Sequence, residues 1–102
     1  MRFIFCTCNV SVSERVIALL EANNVMDYQV ADRVIARNVK GDPRFDTAIW
    51  PGYNVTITMQ FSNDDKATEI INLLRRFNIE SAFNDDELLT VCSWTMDNYF
   101  FE

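Results

Sequence analysis

The sequence has no histidine, and its 102 residues include only two glycines and two prolines. Without histidine, the commonest general base and the commonest zinc ligand are missing, which excludes histidine-dependent catalytic triads and HExxH-type metal sites. Basic residues are also few, and the net charge of −6 argues against a nucleic-acid binder or a polybasic membrane anchor, since both need a basic face. No apolar run approaches the roughly 20 residues of a membrane span. The first ten residues have the pattern of a strand rather than of a signal peptide, so we expect a cytoplasmic protein.

What is present predicts a single α+β domain over residues 1–102. The clearest strand is NVTITMQF, in which Val55, Ile57, Met59 and Phe61 alternate with polar residues. The predicted order is strand, helix, strand, long loop, strand, helix and strand, at residues 2–8, 13–23, 26–36, 37–54, 54–61, 62–79 and 87–96. This order is the split βαβ pattern, so we predict a ferredoxin-like βαββαβ sandwich with an antiparallel sheet and two helices on one face.

Helix-capping residues precede both predicted helices. Ser11 and Glu14 have the spacing of a capping box for the first helix, with Ser13 as an alternative cap. Asn63 or Asp64 caps the second helix. Its apolar stripe consists of Ala67, Ile70, Ile71, Leu74 and Phe77.

The connection between the second and third strands, residues 37–54, contains all the glycines and prolines of the chain. A plain hairpin needs two to five residues, so a connection of this length indicates a functional loop. Its basic residues could contact an anionic ligand or an acidic patch of a partner; alternatively, these charges are solvated and Trp50 to Gly52 only pack. Pro51-Gly52 is typical of a type II turn. The candidate ligand-binding or partner-binding residues are Arg37, Lys40, Gly41, Asp42, Arg44, Trp50, Gly52 and Asn54.

The element order, together with the run GDPRF…WPGYN, resembles the PII-like signalling proteins, which belong to the superfamily of the nitrogen regulatory PII proteins and CutA. The resemblance implies a non-enzymatic regulator or sensor that forms a homotrimer and holds a small-molecule ligand in the clefts between subunits. It also implies that the loop, called the T-loop in that family, contacts a partner such as a membrane transporter or a regulated enzyme.

The resemblance does not identify a cofactor for this chain. ATP-binding members of the family carry a glycine-rich loop after the second helix, where backbone amides can hold phosphates. The corresponding stretch here, NIESAFNDDELLTV, has no glycine and carries Asp85, Asp86 and Glu87, which would repel a phosphate. We therefore do not extend nucleotide binding to this chain.

Three further features each have two interpretations. Cys6, Cys8 and Cys92 could hold a soft metal ion, as in a CutA-like metal-binding protein, or be core thiols, which we favour. Residues 85–87 could bind a hard cation or form a solvated acidic corner, which is the favoured alternative. The aromatic tail at residues 99–101 could pack on a neighbouring subunit or on the chain's own sheet.

Overall fold

Four strands and two helices follow one another in the predicted order. The computed structural model describes residues 1–102. Its elements are β1 (Arg2–Asn9), α1 (Val10–Ala22), β2 (Tyr28–Val34), β3 (Asn54–Phe61), α2 (Asp64–Glu80), a 3₁₀ turn (Asp85–Glu87) and β4 (Thr90–Thr95). The strands form one antiparallel sheet in the order β2-β3-β1-β4. The ferredoxin-like fold predicted from the sequence is confirmed.

The core lies between one face of the sheet and the two helices. Along β1, Ile4, Cys6 and Cys8 are buried, and the register places Met59 and Ile57 of β3 beside Ile4 and Cys6. The helices cover this face with their buried residues, which are Val12, Val16 and Leu20 from α1 and Ala67, Ile70, Leu74 and Phe77 from α2. This pattern is the predicted one, because side chains in a strand alternate between faces and those in a helix recur every three to four residues.

No helix covers the opposite face of the sheet, which we call the open face. Phe3 and Phe5 of β1 lie on it, and they pair with Trp94 and Cys92 of β4. The rings of Phe3 and Trp94 are 4.8 Å apart, yet Trp94 remains 49% exposed. The open face therefore combines threonines of β1 and β3 with an aromatic pair of which Trp94 is exposed.

Helix α1 begins earlier than the sequence predicts, and its cap differs. Asn9, the last residue of β1, is the N-cap, and its Oδ1 accepts a hydrogen bond from the Ser11 backbone N–H at 3.1 Å. The hydroxyl of Ser13 instead donates to the Val10 carbonyl at 2.9 Å inside the helix. The predicted Ser11 and Ser13 caps are therefore wrong. The Asn63 cap of α2 is confirmed, since its side chain accepts from the N–H groups of Asp65 and Lys66.

Two strands are shorter than predicted. Strand β2 ends at Val34 after an irregularity at Arg33, whose φ of 55° interrupts the ladder with β3. Strand β4 begins only at Thr90, because residues 85–87 form the 3₁₀ turn. The residue before β4, Leu89, is held by the side chain of Asn78 in α2. This side chain donates to the Leu89 carbonyl at 3.0 Å and accepts from the Leu89 N–H at 2.7 Å.

The chain ends in an aromatic tail that is only partly packed. Tyr99 donates a hydrogen bond to Asp27 Oδ2 at 2.8 Å, while the side chains of Phe100 and Phe101 are exposed. The tail borders a cavity of about 410 Å³ whose other wall includes Met26 and Phe61. Tyr99 thus packs against the chain itself. No helix of the structure combines the length and apolarity that crossing a membrane requires.

The three cysteines do not come together. Cys6 and Cys8 are buried under the helices, whereas Cys92 is exposed and pairs with Phe5 on the open face. The Sγ of Cys8 points to the Val55 carbonyl oxygen, 3.7 Å away. The metal site of Cys6, Cys8 and Cys92 is thus contradicted by the sheet register, and Cys6 and Cys8 are core thiols.

Burial makes the two core thiols unreactive, and a thiol titration tests this. Burial raises the pKa of Cys8 to about 11, although the positive charge of Arg44 acts in the opposite direction. The pKa of Cys6 is also raised, mainly by burial and secondly by the neighbouring Cys8. Since the thiolate is the reactive form, we expect Cys6 and Cys8 to react slowly with a disulfide reagent at about pH 8, so that at most one thiol per folded chain, that of Cys92, reacts rapidly. All three thiols should react after denaturation. Cys92→Ser should abolish the rapid phase, and rapid labelling of Cys6 or Cys8 in the folded chain would contradict the assignment.

Candidate functional site

The connection between β2 and β3, residues 35–53, is held in a defined conformation by backbone hydrogen bonds between its own residues. Ala36 and Arg44 exchange N–H···O bonds of 2.9 and 2.8 Å, which close residues 36–44 into a loop of their own. Further out, the Trp50 carbonyl accepts from the N–H groups of Phe45 and Thr47, and the Gly52 carbonyl accepts from Asp46. The segment thus has a root at residues 36–44 and an outer turn at residues 45–52.

Arg44 fixes the root to the body of the protein. Its side chain is only 6% exposed. One guanidinium nitrogen, Nη1, donates to Asn54 Oδ1 at 2.9 Å, and the other, Nη2, donates to the Asp86 carbonyl at 2.9 Å. A buried charge is costly unless it is hydrogen-bonded. These contacts therefore join the loop to the first residue of β3 and to the 3₁₀ turn before β4.

The carboxylate of Asp86 closes over the root from the other side. Its Oδ1 accepts the Asp42 N–H at 3.1 Å and lies 3.4 Å from Nη2 of Arg44. Gly41 passes directly beneath it with a φ of 84°, and a side-chain carbon at this position would collide with the Asp86 carboxylate. We call these contacts of Asp86 with Gly41, Asp42 and Arg44 the Asp86 latch.

Residues 85–87 are therefore not a simply solvated acidic corner. Asp86 is engaged in the latch, and Glu87 forms an ion pair with Arg15 of α1 at 2.7 Å. Among the side chains of this turn, only that of Asp85 has no hydrogen-bonded or ionic partner. The interpretation that the basic charges of the loop are solvated is likewise wrong for Arg44, which is buried.

A second set of contacts holds the outer turn. Arg33 adopts a left-handed conformation, its N–H is bonded to Asp32 Oδ1, and its guanidinium lies over the Tyr53 ring at 4.8 Å. The same guanidinium is 3.4 Å from Asp46 Oδ2. Arg33 and Asp46 are both well exposed, so this pair contributes little to stability compared with buried Arg44.

A cavity of about 430 Å³, which we call the root cavity, opens beside Arg44. Its polar lining includes Arg37, Asn38, Lys40 and Arg44, with Asp85 as the only carboxylate. Asn38 Nδ2 is shielded from solvent and has no hydrogen-bond partner. Three cationic side chains around one cavity suit a ligand that carries negative charge and accepts hydrogen bonds.

The structure brings some of the predicted site residues together and separates others. Arg37, Lys40 and Arg44 surround the root cavity, and Gly41 and Asp42 lie in the latch; Asn54 joins this group through Arg44. Trp50 and Gly52 belong to the outer turn, where the Gly52 φ of 85° agrees with the predicted turn.

Sequence reasoning missed Asn38, Asn78 and the pairing of Asp86 with Arg44. The acidic run was visible, but its partner lies 42 positions away in the chain. Nothing in the sequence distinguishes Asn38 from other loop asparagines.

Comparison with known proteins supports the fold assignment at the level of structure. No protein-family model and no curated protein matches the sequence. A PII-like signalling protein from Thermus thermophilus aligns with a TM-score of 0.62 and 15% identity over 91% of this chain and 83% of that one. CPII, a nitrogen regulatory PII-like protein from Thiomonas intermedia solved with ADP, AMP and bicarbonate, aligns with a TM-score of 0.61 and 11% identity over 97% and 94% of the two chains. The chain therefore has the fold of the PII-like signalling proteins.

Proposed function

We propose that the chain is a non-enzymatic, PII-like regulator that binds a small anionic ligand at the root cavity and signals to a partner through residues 37–54. The observation that carries this proposal is the root cavity itself, which is lined by Arg37, Lys40 and Arg44 and by a single carboxylate. This space lies where the loop joins the domain, so a ligand there contacts the loop directly. Binding can then change the populations of loop conformations.

The lining favours a compact oxyanion over a nucleotide. Charged hydrogen bonds from guanidinium and ammonium groups are the usual means of holding carboxylate, bicarbonate or phosphate groups. CPII from Thiomonas intermedia has been solved with bicarbonate as well as with ADP and AMP, which makes bicarbonate a reasonable first candidate. The polyphosphate of a nucleotide would meet Asp85 without a glycine-rich loop to offer backbone amides.

The outer part of the loop is suited to a protein partner. Ile49 of the outer turn is almost fully exposed and Trp50 is partly so, and Val39, at the tip of the root, is also fully exposed. Exposed apolar side chains on one projecting segment are typical of interaction sites. We propose that a membrane transporter or a regulated enzyme binds this segment and distinguishes its ligand-bound form.

We also propose that three copies assemble through their open faces and that the ligand lies in the clefts between subunits. Trp94, which packs on Phe3, is an exposed aromatic residue on the open face, and aromatic residues are enriched in the buried parts of interfaces. A small domain also gains stability by burying such surface. The CutA-like alternative has less support, because the structure contains no group of three or more Cys, Asp or Glu residues that could hold a metal ion.

Anion binding can be measured by isothermal titration calorimetry with sodium bicarbonate, sodium phosphate, AMP and ADP at constant pH and ionic strength. We expect at least one oxyanion to bind, and we expect the double variant Arg37→Gln/Lys40→Gln to bind it at least about thirtyfold more weakly, since each of the two lost charged hydrogen bonds costs about 1 kcal/mol or more.

The matched control is Arg33→Gln, which removes a cation from the end of β2, next to the loop but outside the root cavity. Its affinity should stay within about twofold of the wild type. Equal losses in the two variants, or the absence of binding by every oxyanion tested, would contradict the proposed site.

Self-association can be measured by sedimentation equilibrium. We expect the wild type to have three times the mass of the chain, and Trp94→Glu to dissociate it, because a carboxylate would be buried without a partner in the interface. Ile79→Glu, which places the same charge on the exposed side of α2, should leave the trimer intact. A monomeric wild type, or a trimer that withstands Trp94→Glu, would count against the open-face assembly.

A further inference from the structure

We propose that the Asp86 latch is a built-in competitor of the ligand: the carboxylate holds the loop root while the root cavity is empty, and an oxyanion bound to Arg44 releases it. This inference rests on the proposed function, because it concerns how binding at the root cavity reaches the loop. It assigns to Asp86 a regulatory role in addition to its structural contacts.

Arg44 belongs both to the root cavity and to the Asp86 latch. Arg44 is one of the residues that line the root cavity, and its guanidinium is 3.4 Å from Asp86 Oδ1. An oxyanion in the cavity and the Asp86 carboxylate therefore compete for the charge of one buried cation. When the anion supplies the countercharge, the attraction between Arg44 and Asp86 falls.

The contact of the Asp86 carboxylate with Arg44 is weak compared with the other hydrogen bonds of Arg44. The Arg44 bonds to Asn54 and to the Asp86 carbonyl are both 2.9 Å and buried or partly buried. The carboxylate contact is longer, and the Asp86 side chain is 45% exposed. Half-exposed ion pairs are close to neutral in stability. The carboxylate can therefore rotate into solvent while Arg44 keeps its anchor on β3.

Release of the Asp86 carboxylate frees residues 41 and 42 of the loop. Asp86 Oδ1 is the acceptor for the Asp42 N–H, and it lies directly over Gly41. Once it moves, the Asp42 N–H is exposed to water, and the space above Gly41 opens. Residues 41 and 42 then have access to conformations that the latch excludes, and these residues lead into the outer turn.

Native-state hydrogen exchange of wild-type protein tests the release directly. We expect saturating sodium bicarbonate or sodium phosphate, whichever the calorimetry shows to bind, to accelerate exchange of the Asp42 amide about tenfold or more relative to sodium chloride at the same pH and ionic strength. Amides of β1 and β3 should not change. Unchanged or slower exchange at Asp42 with the anion bound overturns the latch while leaving the proposed function standing.

A pair of glycine variants tests the same inference without changing any charge. Gly41→Ala and Gly52→Ala impose a similar left-handed strain, since their φ values are 84° and 85°. Only Gly41→Ala also forces the Asp86 carboxylate away, because nothing lies within 4 Å of a side-chain carbon at Gly52. We expect Gly41→Ala to bind the anion about three- to tenfold more tightly than the wild type, and Gly52→Ala to bind it within about twofold.

The outcomes separate the two proposals. Tighter binding by Gly41→Ala alone supports the latch, whereas equal or weaker binding by Gly41→Ala than by Gly52→Ala overturns it. If no oxyanion binds the wild type or Gly41→Ala, the proposed function fails and the latch fails with it. If Gly41→Ala does not fold, the exchange measurement on the wild type decides alone.

Discussion

The structure depends on one buried cation at the root of a long connection. The Arg44 guanidinium is held between the side chain of Asn54 and the backbone carbonyl of Asp86, in a position that solvent hardly reaches. A charge in such a place must be hydrogen-bonded to several partners or the fold loses free energy. This requirement fixes where residues 36–44 lie and, through Asp86, where the 3₁₀ turn lies before β4.

The same requirement explains how a small domain can carry a loop that is both long and defined. Loop residues ordinarily lose free energy when they are ordered, because their conformational entropy falls. Here the Ala36–Arg44 hydrogen bonds and the Arg44 anchor order only the root, and Ile49 of the outer turn projects into solvent. A ligand at the root cavity therefore acts at the junction between a fixed part and a projecting part, which is where a small contact has the largest effect on conformation.

The sequence predicted the layers of the fold well because they depend on periodicity. Each buried face can be identified from its own segment, without knowing which element packs on it. In β3 the signal is the alternation of Val55, Ile57 and Met59, and in α2 it is the apolar stripe from Ala67 to Phe77. The Asn9 cap and the irregularity of β2 at Arg33 were missed, since both depend on local backbone geometry that several sequences share. The favoured interpretation as core thiols is confirmed for Cys6 and Cys8, whereas the exposure of Cys92 followed only from the register of β4 on β1. Of the site, the basic loop was predictable, but the pairing of Arg44 with Asn54 and Asp86 depends on contacts between distant parts of the chain.

The most direct test of this account is a double-mutant cycle between Arg44 and Asn54, measured as the free energy of unfolding in urea. If the buried guanidinium anchors the loop on β3, Arg44→Met and Asn54→Ala should each destabilise the protein, with a coupling energy of at least about 1 kcal/mol between them. A coupling energy near zero would mean that the two side chains act independently, and the anchor on which the loop, the latch and the ligand site all depend would be contradicted.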